Sequence, residues 1–135
     1  MESTYLYLGL SGMLTVLLWV PYIVARLFVW GLPTFINNYP EGFPKNNPEP
    51  PLWAQRAQRA HLNMIETLPA FVAVVVASGL LADPSSYQTI SQCSQIFFYS
   101  RIMHAAVYIT AIPYLRTPVY LVSWVAILVI GAQTF

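Results

Sequence analysis

The chain has 135 residues, of which 57% are hydrophobic and 8% charged, and its formal net charge is +1. An ordinary soluble domain is about 25% charged, so too few charges are present to coat a water-facing surface, and the composition is that of an integral membrane protein. The near-neutral balance, with no basic run, excludes a nucleic-acid footprint, and the single cysteine, Cys93, excludes an internal disulfide framework.

The first predicted element covers residues 4–30. Residues 3–25 carry no charge, long enough for a transmembrane helix of about 20 residues. The N-terminus has no Lys or Arg, and no small-residue cleavage site follows, so a signal peptide is not expected. Residues 31–51, "GLPTFINNYPEGFPKNNPEPP", are crowded with Pro, Asn and Gly. They predict a long loop without regular helix, either unstructured or folded back over a site. The second span is predicted over 52–82. The tight turn "LLADPSSY" leads to a third span over 87–114. "YLRTP" then leads to a fourth over 117–135, with Pro118 suited to a first helical turn. Pro21 and Pro69 fall inside the first and second spans and are expected to bend them. No repeat and no second domain is evident, so the expectation is one all-α domain over 1–135, an integral membrane four-helix bundle.

Lys and Arg set the orientation. Arg26, Lys45, Arg56 and Arg59 border or lie in the first loop, and Arg116 lies in the third. The opposite side offers Glu2 and Asp83 and no cation. The positive-inside rule therefore puts loops one and three in the cytoplasm and both termini across the membrane. Trp30, Trp53, Tyr114 and Tyr120 would ring the cytoplasmic interface, and Tyr5, Tyr7 and Tyr87 the other.

Two polar stripes interrupt the apolar spans. At about 100° per residue, Arg56, Arg59, Asn63 and Glu66 fall within an arc of about 80° on one face of the second helix. His61 falls about 140° from Arg56, away from the stripe, and is expected to be an interface or packing residue. Glu66 lies about 15 Å deeper than Arg56. On the third helix Arg101, His104 and Tyr108 share a face in the same way. Arg101 is placed near mid-membrane, where an unpaired Arg costs about 2.5–3.5 kcal/mol on insertion scales. Glu66 is the only acid in the spans, so an Arg101–Glu66 ion pair is expected. A structural polar network would account for that pair. It leaves Arg56, Arg59, Asn63, His104 and Tyr108 over, an excess of donors that suits an anionic, carboxylate-bearing ligand. Bis-histidine haem is disfavoured because His61 lies off the stripe, and no metal is expected. Cys93, inside an apolar segment, is expected to pack inertly.

These stripes carry a resemblance. "RAQRAHLNMIETLPAF" resembles the hallmark of the MAPEG superfamily, the membrane-associated proteins of eicosanoid and glutathione metabolism, through Arg59, Ala60, His61, Asn63, Glu66, Pro69 and Phe71. "RIMHAAVY" resembles the family's third-helix motif through Arg101, His104 and Tyr108. Together with the four predicted spans, the motifs cover essentially the whole chain. The resemblance implies a homotrimer of four-helix subunits, with sites between neighbours that open to the cytoplasm. It implies bound glutathione as cosubstrate and an apolar small molecule or lipid entering from the membrane. Arg26, Arg59, Asn63, Glu66, Arg101, His104 and Tyr108 would bind glutathione. The implied activity is a microsomal-type glutathione transferase or peroxidase acting on apolar electrophiles or lipid hydroperoxides, a detoxification role.

The chain departs from the family pattern early in the fourth helix. Tyr120 and Leu121 stand where an Arg and a Ser act on the thiol in glutathione-using members, and Leu62 stands where some members have another Arg. Arg116, Tyr108 and Tyr120 are the candidate replacements. The same departure leaves a second reading open: a non-catalytic lipid-binding member resembling the five-lipoxygenase-activating protein.

Overall fold

The computed structural model describes residues 1–37 and 48–134. Helix α1 spans Glu2–Trp30, α2 Leu32–Ile36, α3 Leu52–Leu81, α4 Tyr87–Thr110 and α5 Arg116–Ala132. A 3-10 turn, Pro84–Ser86, joins α3 to α4. The described residues contain helices and turns and no strand.

The turns follow from local chemistry. Asp83 caps the 3-10 turn: its carboxylate accepts from the Ser85 N–H at 2.8 Å, and Pro84 occupies the first turn, where its missing N–H costs nothing. The Ser85 hydrogen bonds hold the exposed Asp83 carboxyl below the usual carboxylate range. Helix α4 stops at Thr110, short of the expected 114. Pro113 disfavours helical backbone at Ile112. Ala111 turns into the left-handed region (φ 59°, ψ 34°), and the Ile112 N–H bonds back to the Val107 carbonyl. Tyr114 also has positive φ, 66°, and α5 starts two residues later.

The loop expectation needs one correction. Leu32–Ile36 is helical, which Pro33 permits because the first N–H groups of a helix have no intrahelical acceptor. Residues 38–47, and with them Lys45 and the question of a folded-back cap, lie outside the described residues. Beyond them the chain is tied to the helices: Trp30 Nε1 donates to the Pro48 carbonyl at 2.9 Å, and Gln55 Nε2 to that of Pro50 at 2.8 Å.

Helices α3 and α4 pack on each other at the centre. Helix α1 packs on both, α5 packs on both, and α1 and α5 do not touch. In the core the Phe71 and Phe97 rings stack at 3.9 Å and 13°, surrounded by Met64, Val75, Ile90 and Ile130. On the α1–α3 seam Ala25, Ala54 and Ala57 are buried beside Tyr22, small residues that let the backbones approach. Buried hydroxyls are satisfied locally. Ser78, Ser94, Ser100 and Ser123 each donate to a carbonyl three or four residues back. Helices α1 and α3 continue past Pro21 and Pro69.

Among the described residues two helices, α1 and α3, are long and apolar enough to cross a membrane. Only 22% and 28% of their most apolar windows are buried inside the protein, so most of that apolar surface faces outward. This differs from the core helix of a soluble protein. Helix α4 is long enough but too polar for that class, with Gln88, Gln92, Gln95, Arg101 and His104 along it. Helix α5 is apolar with 17 residues, about 26 Å at 1.5 Å per residue.

Candidate functional site

The tight turn after α4 sets the last turn of α4 beside the first turn of α5, and both lie against α3. His104 and Tyr108, four residues apart, project from one face of α4. Asn63 comes from α3, and Arg116, Thr117 and Tyr120 come from the start of α5. Together these six residues line a polar cleft of about 250 Å³. The His104 ring is 3% exposed and meets both phenols, each with ring centroids 5.6 Å away: Tyr108 at 68° and Tyr120 at 60°. The Arg116 guanidinium lies over the Tyr108 ring, 4.9 Å from its centroid. One full positive charge, two phenolic hydroxyls, an imidazole and an amide thus surround one small volume. Such a set can anchor an anion and donate hydrogen bonds to it.

Arg101 lies behind the cleft, against Tyr120. It is 2% exposed, and its guanidinium packs between the Tyr120 ring (4.9 Å) and the Phe97 ring (5.6 Å). Its Nη2 donates to the Asn63 carbonyl at 2.9 Å and to Thr67 Oγ1. Nε and Nη1 have no hydrogen-bond partner among the described residues. The expected Arg101–Glu66 ion pair is therefore overturned. Glu66 is exposed and acts on the Arg101 charge only at longer range, without an ion-pair contact. The angular offset explains this: Asn63 and Thr67 are separated by only about 40° around α3 and both face α4, whereas Glu66 lies about 100° from Thr67.

The remaining candidates are dispersed in the chain. Arg59 is exposed on the same open face of α3 as Glu66. Arg26 lies on the α1–α3 seam, where its Nη2 donates to Gln58 Oε1 at 2.7 Å and its guanidinium stacks near Tyr22 and Trp30. His61 faces α1, as its helical angle implies. It is buried, with Nδ1 3.0 Å from the Tyr22 hydroxyl. Cys93 is buried in the apolar core.

Sequence reasoning missed three residues here. Thr67, the partner of Arg101, lies four residues after Asn63, and that spacing could have revealed it. Gln58, the partner of Arg26, and Thr117, which lines the cleft, carry no periodic signal, because the turn geometry and the α1–α3 seam place them. Among the described residues no group of three or more His, Cys, Asp or Glu side chains could hold a metal.

The family model that matches the chain is that of the MAPEG family, over residues 4–135. No curated protein and no solved structure matches it significantly.

Proposed function

We propose that this chain, which belongs to the MAPEG family, binds glutathione in the polar cleft and joins its thiol sulfur to apolar electrophiles, or reduces lipid hydroperoxides to alcohols and water as two glutathione molecules are oxidised to the disulfide. The observation that carries the reading is the convergence of Asn63, His104, Tyr108, Arg116 and Tyr120 on one cleft, with the Arg116 charge at its edge. A free thiol with pKa near 8.5 is only a few per cent ionised at neutral pH, and the thiolate is the nucleophile. The Arg116 guanidinium and the Tyr108 and Tyr120 hydroxyls stabilise that thiolate while the thiol proton passes to water at the rim. In conjugation the sulfur lone pair forms the new S–C bond as the electrophile's leaving group departs with its bonding pair.

The reading includes the assembly. Four spans form a bundle with loops one and three in the cytoplasm, and three bundles associate. Arg59 and Glu66 are exposed on α3, and charges facing hydrocarbon are costly. A neighbouring copy covers them and turns them into ligands for the glutathione carboxylates and amine. Arg26 lies on the far seam of α3 from Tyr108, so the Arg26 that reaches a given glutathione belongs to the neighbour. Arg101 supports the cleft from behind.

A second reading is favoured by one observation. An apolar groove of about 490 Å³ runs along α4 and α5, lined by Ile96, Leu121, Val122 and Val125 among others. With Tyr120 in place of a fourth-helix Arg, it suits a lipid-binding member without turnover. The test is a near-ultraviolet difference spectrum of the detergent-solubilised protein with glutathione at pH 7, followed by turnover with a panel of electrophiles and hydroperoxides. The transferase reading expects thiolate absorbance and turnover. Binding without thiolate or turnover establishes the lipid-binding reading instead.

A further inference from the structure

A second polar cleft, of about 300 Å³, opens at the α4–α5 turn. Arg56 from α3, Tyr108 from α4, Tyr114 in the turn, and Arg116 and Thr117 from α5 are among its walls. We propose that this cleft binds the phosphate of an anionic phospholipid at the membrane surface.

Two guanidinium groups from different helices face one small volume. Among the described residues neither has a carboxylate within ion-pair distance, and the Arg116 guanidinium lies over the Tyr108 ring. Two cations held together in this way favour an anion between them, and guanidinium forks match phosphate oxygens in a bidentate geometry. Arg56 is half-buried and Arg116 exposed, so the headgroup enters from the rim.

The turn supplies the reason for a lipid rather than free phosphate. Ala111 and Tyr114 adopt left-handed backbone, which folds "AIPYL" tightly and turns its side chains outward. Tyr114 is 94% exposed, with Ile112 and Leu115 beside it about half exposed. An exposed tyrosine flanked by aliphatic residues, just before the apolar helix α5, is an interfacial anchor. It places the cleft at headgroup height, and Ile112 and Leu115 can then contact the glycerol and first acyl carbons. Free phosphate would leave that apolar rim unused. Arg56 is outside the proposed glutathione ligands, whereas Tyr108, Arg116 and Thr117 line both clefts, so the lipid is tested in the absence of glutathione and through Arg56.

The test uses the full chain in detergent with an equimolar mixture of dioleoyl phosphatidylglycerol and dioleoyl phosphatidylcholine, without glutathione. Native mass spectrometry counts the lipids retained per chain. Wild type should retain phosphatidylglycerol several-fold over phosphatidylcholine. Arg56→Gln should bring the ratio to near parity, and Arg56→Lys should restore part of it. Circular dichroism establishes that each variant keeps its helices. Millimolar inorganic phosphate should leave the retained phosphatidylglycerol in place. An equal preference in wild type and Arg56→Gln overturns the proposal, as does displacement of the lipid by inorganic phosphate, which would assign the cleft to the free anion.

Discussion

Arg101 shows how much one buried charge asks of its neighbours. With no ion pair to Glu66, its Nη2 donates both to the Asn63 carbonyl and to Thr67 Oγ1. Replacing Thr67 by Val keeps the shape and removes an acceptor from a charged donor, a loss of about 1–3 kcal/mol. Thr67→Val should therefore lower the thermal midpoint in detergent clearly. A midpoint equal to wild type would show that Arg101 is satisfied elsewhere. In the cleft above, the three thiol-stabilising candidates are separable. Arg116→Ala should reduce bound thiolate absorbance most, then Tyr108→Phe, then Tyr120→Phe, because a full charge stabilises an anion more than a neutral donor does. A Tyr120→Phe variant with the largest loss would reverse that order. Periodicity made Asn63, His104 and Tyr108 legible before any coordinates, because each lies on a helix face with a fixed angle. It misplaced the Arg101–Glu66 pair because depth alone was matched. An angle of about 100° between Thr67 and Glu66 around α3 decides which of them meets α4.

At the scale of elements, uncharged runs and turn residues located the four long helices to within a few residues. The largest boundary error is the end of α4, where Ala111, a residue with no turn signature, adopts left-handed backbone. The short helix Leu32–Ile36 was obscured by the proline in its first turn. The α3–α4 turn was legible, and its cap brings a pH dependence. Asp83 titrates below the usual carboxylate range because of Ser85. Its folded-state value is depressed, so the cap's contribution is present above the ordinary carboxylate pKa of about 4 and is lost as pH falls through the lower folded value. Proteolytic nicking near Pro84 should rise on acidification below about pH 4 with an acid-active protease. The Asp83→Ala variant, which lacks the acceptor for the Ser85 N–H, should show that susceptibility already at pH 6 with a protease active there. Equal nicking of both forms at pH 6 would leave the cap without a role.

For the whole molecule, the dominant asymmetry is a charged face beside an apolar coat. Composition alone disclosed the coat. The face became visible only when packing showed that α1, α4 and α5 leave Arg59 and Glu66 uncovered. In the proposed assembly a neighbouring copy covers them, and a single chain's periodicity carries no record of that. Native mass spectrometry in a detergent that preserves helicity should give a trimer. A monomer alone, with glutathione still bound, would show that one chain closes the site by itself.

The separation of Arg26 from Tyr108 across α3 has a genetic consequence. In a cyclic assembly whose sites each draw these two residues from different copies, an Arg26→Ala chain and a Tyr108→Phe chain damage different halves of the site. Co-expressed in equal amounts and mixed at random, the two defective alleles should regenerate intact sites at about one quarter of the interfaces. Activity should then exceed that of either variant expressed alone. Complementation between two loss-of-function alleles would follow from geometry, and its absence would place both residues in the same subunit's site.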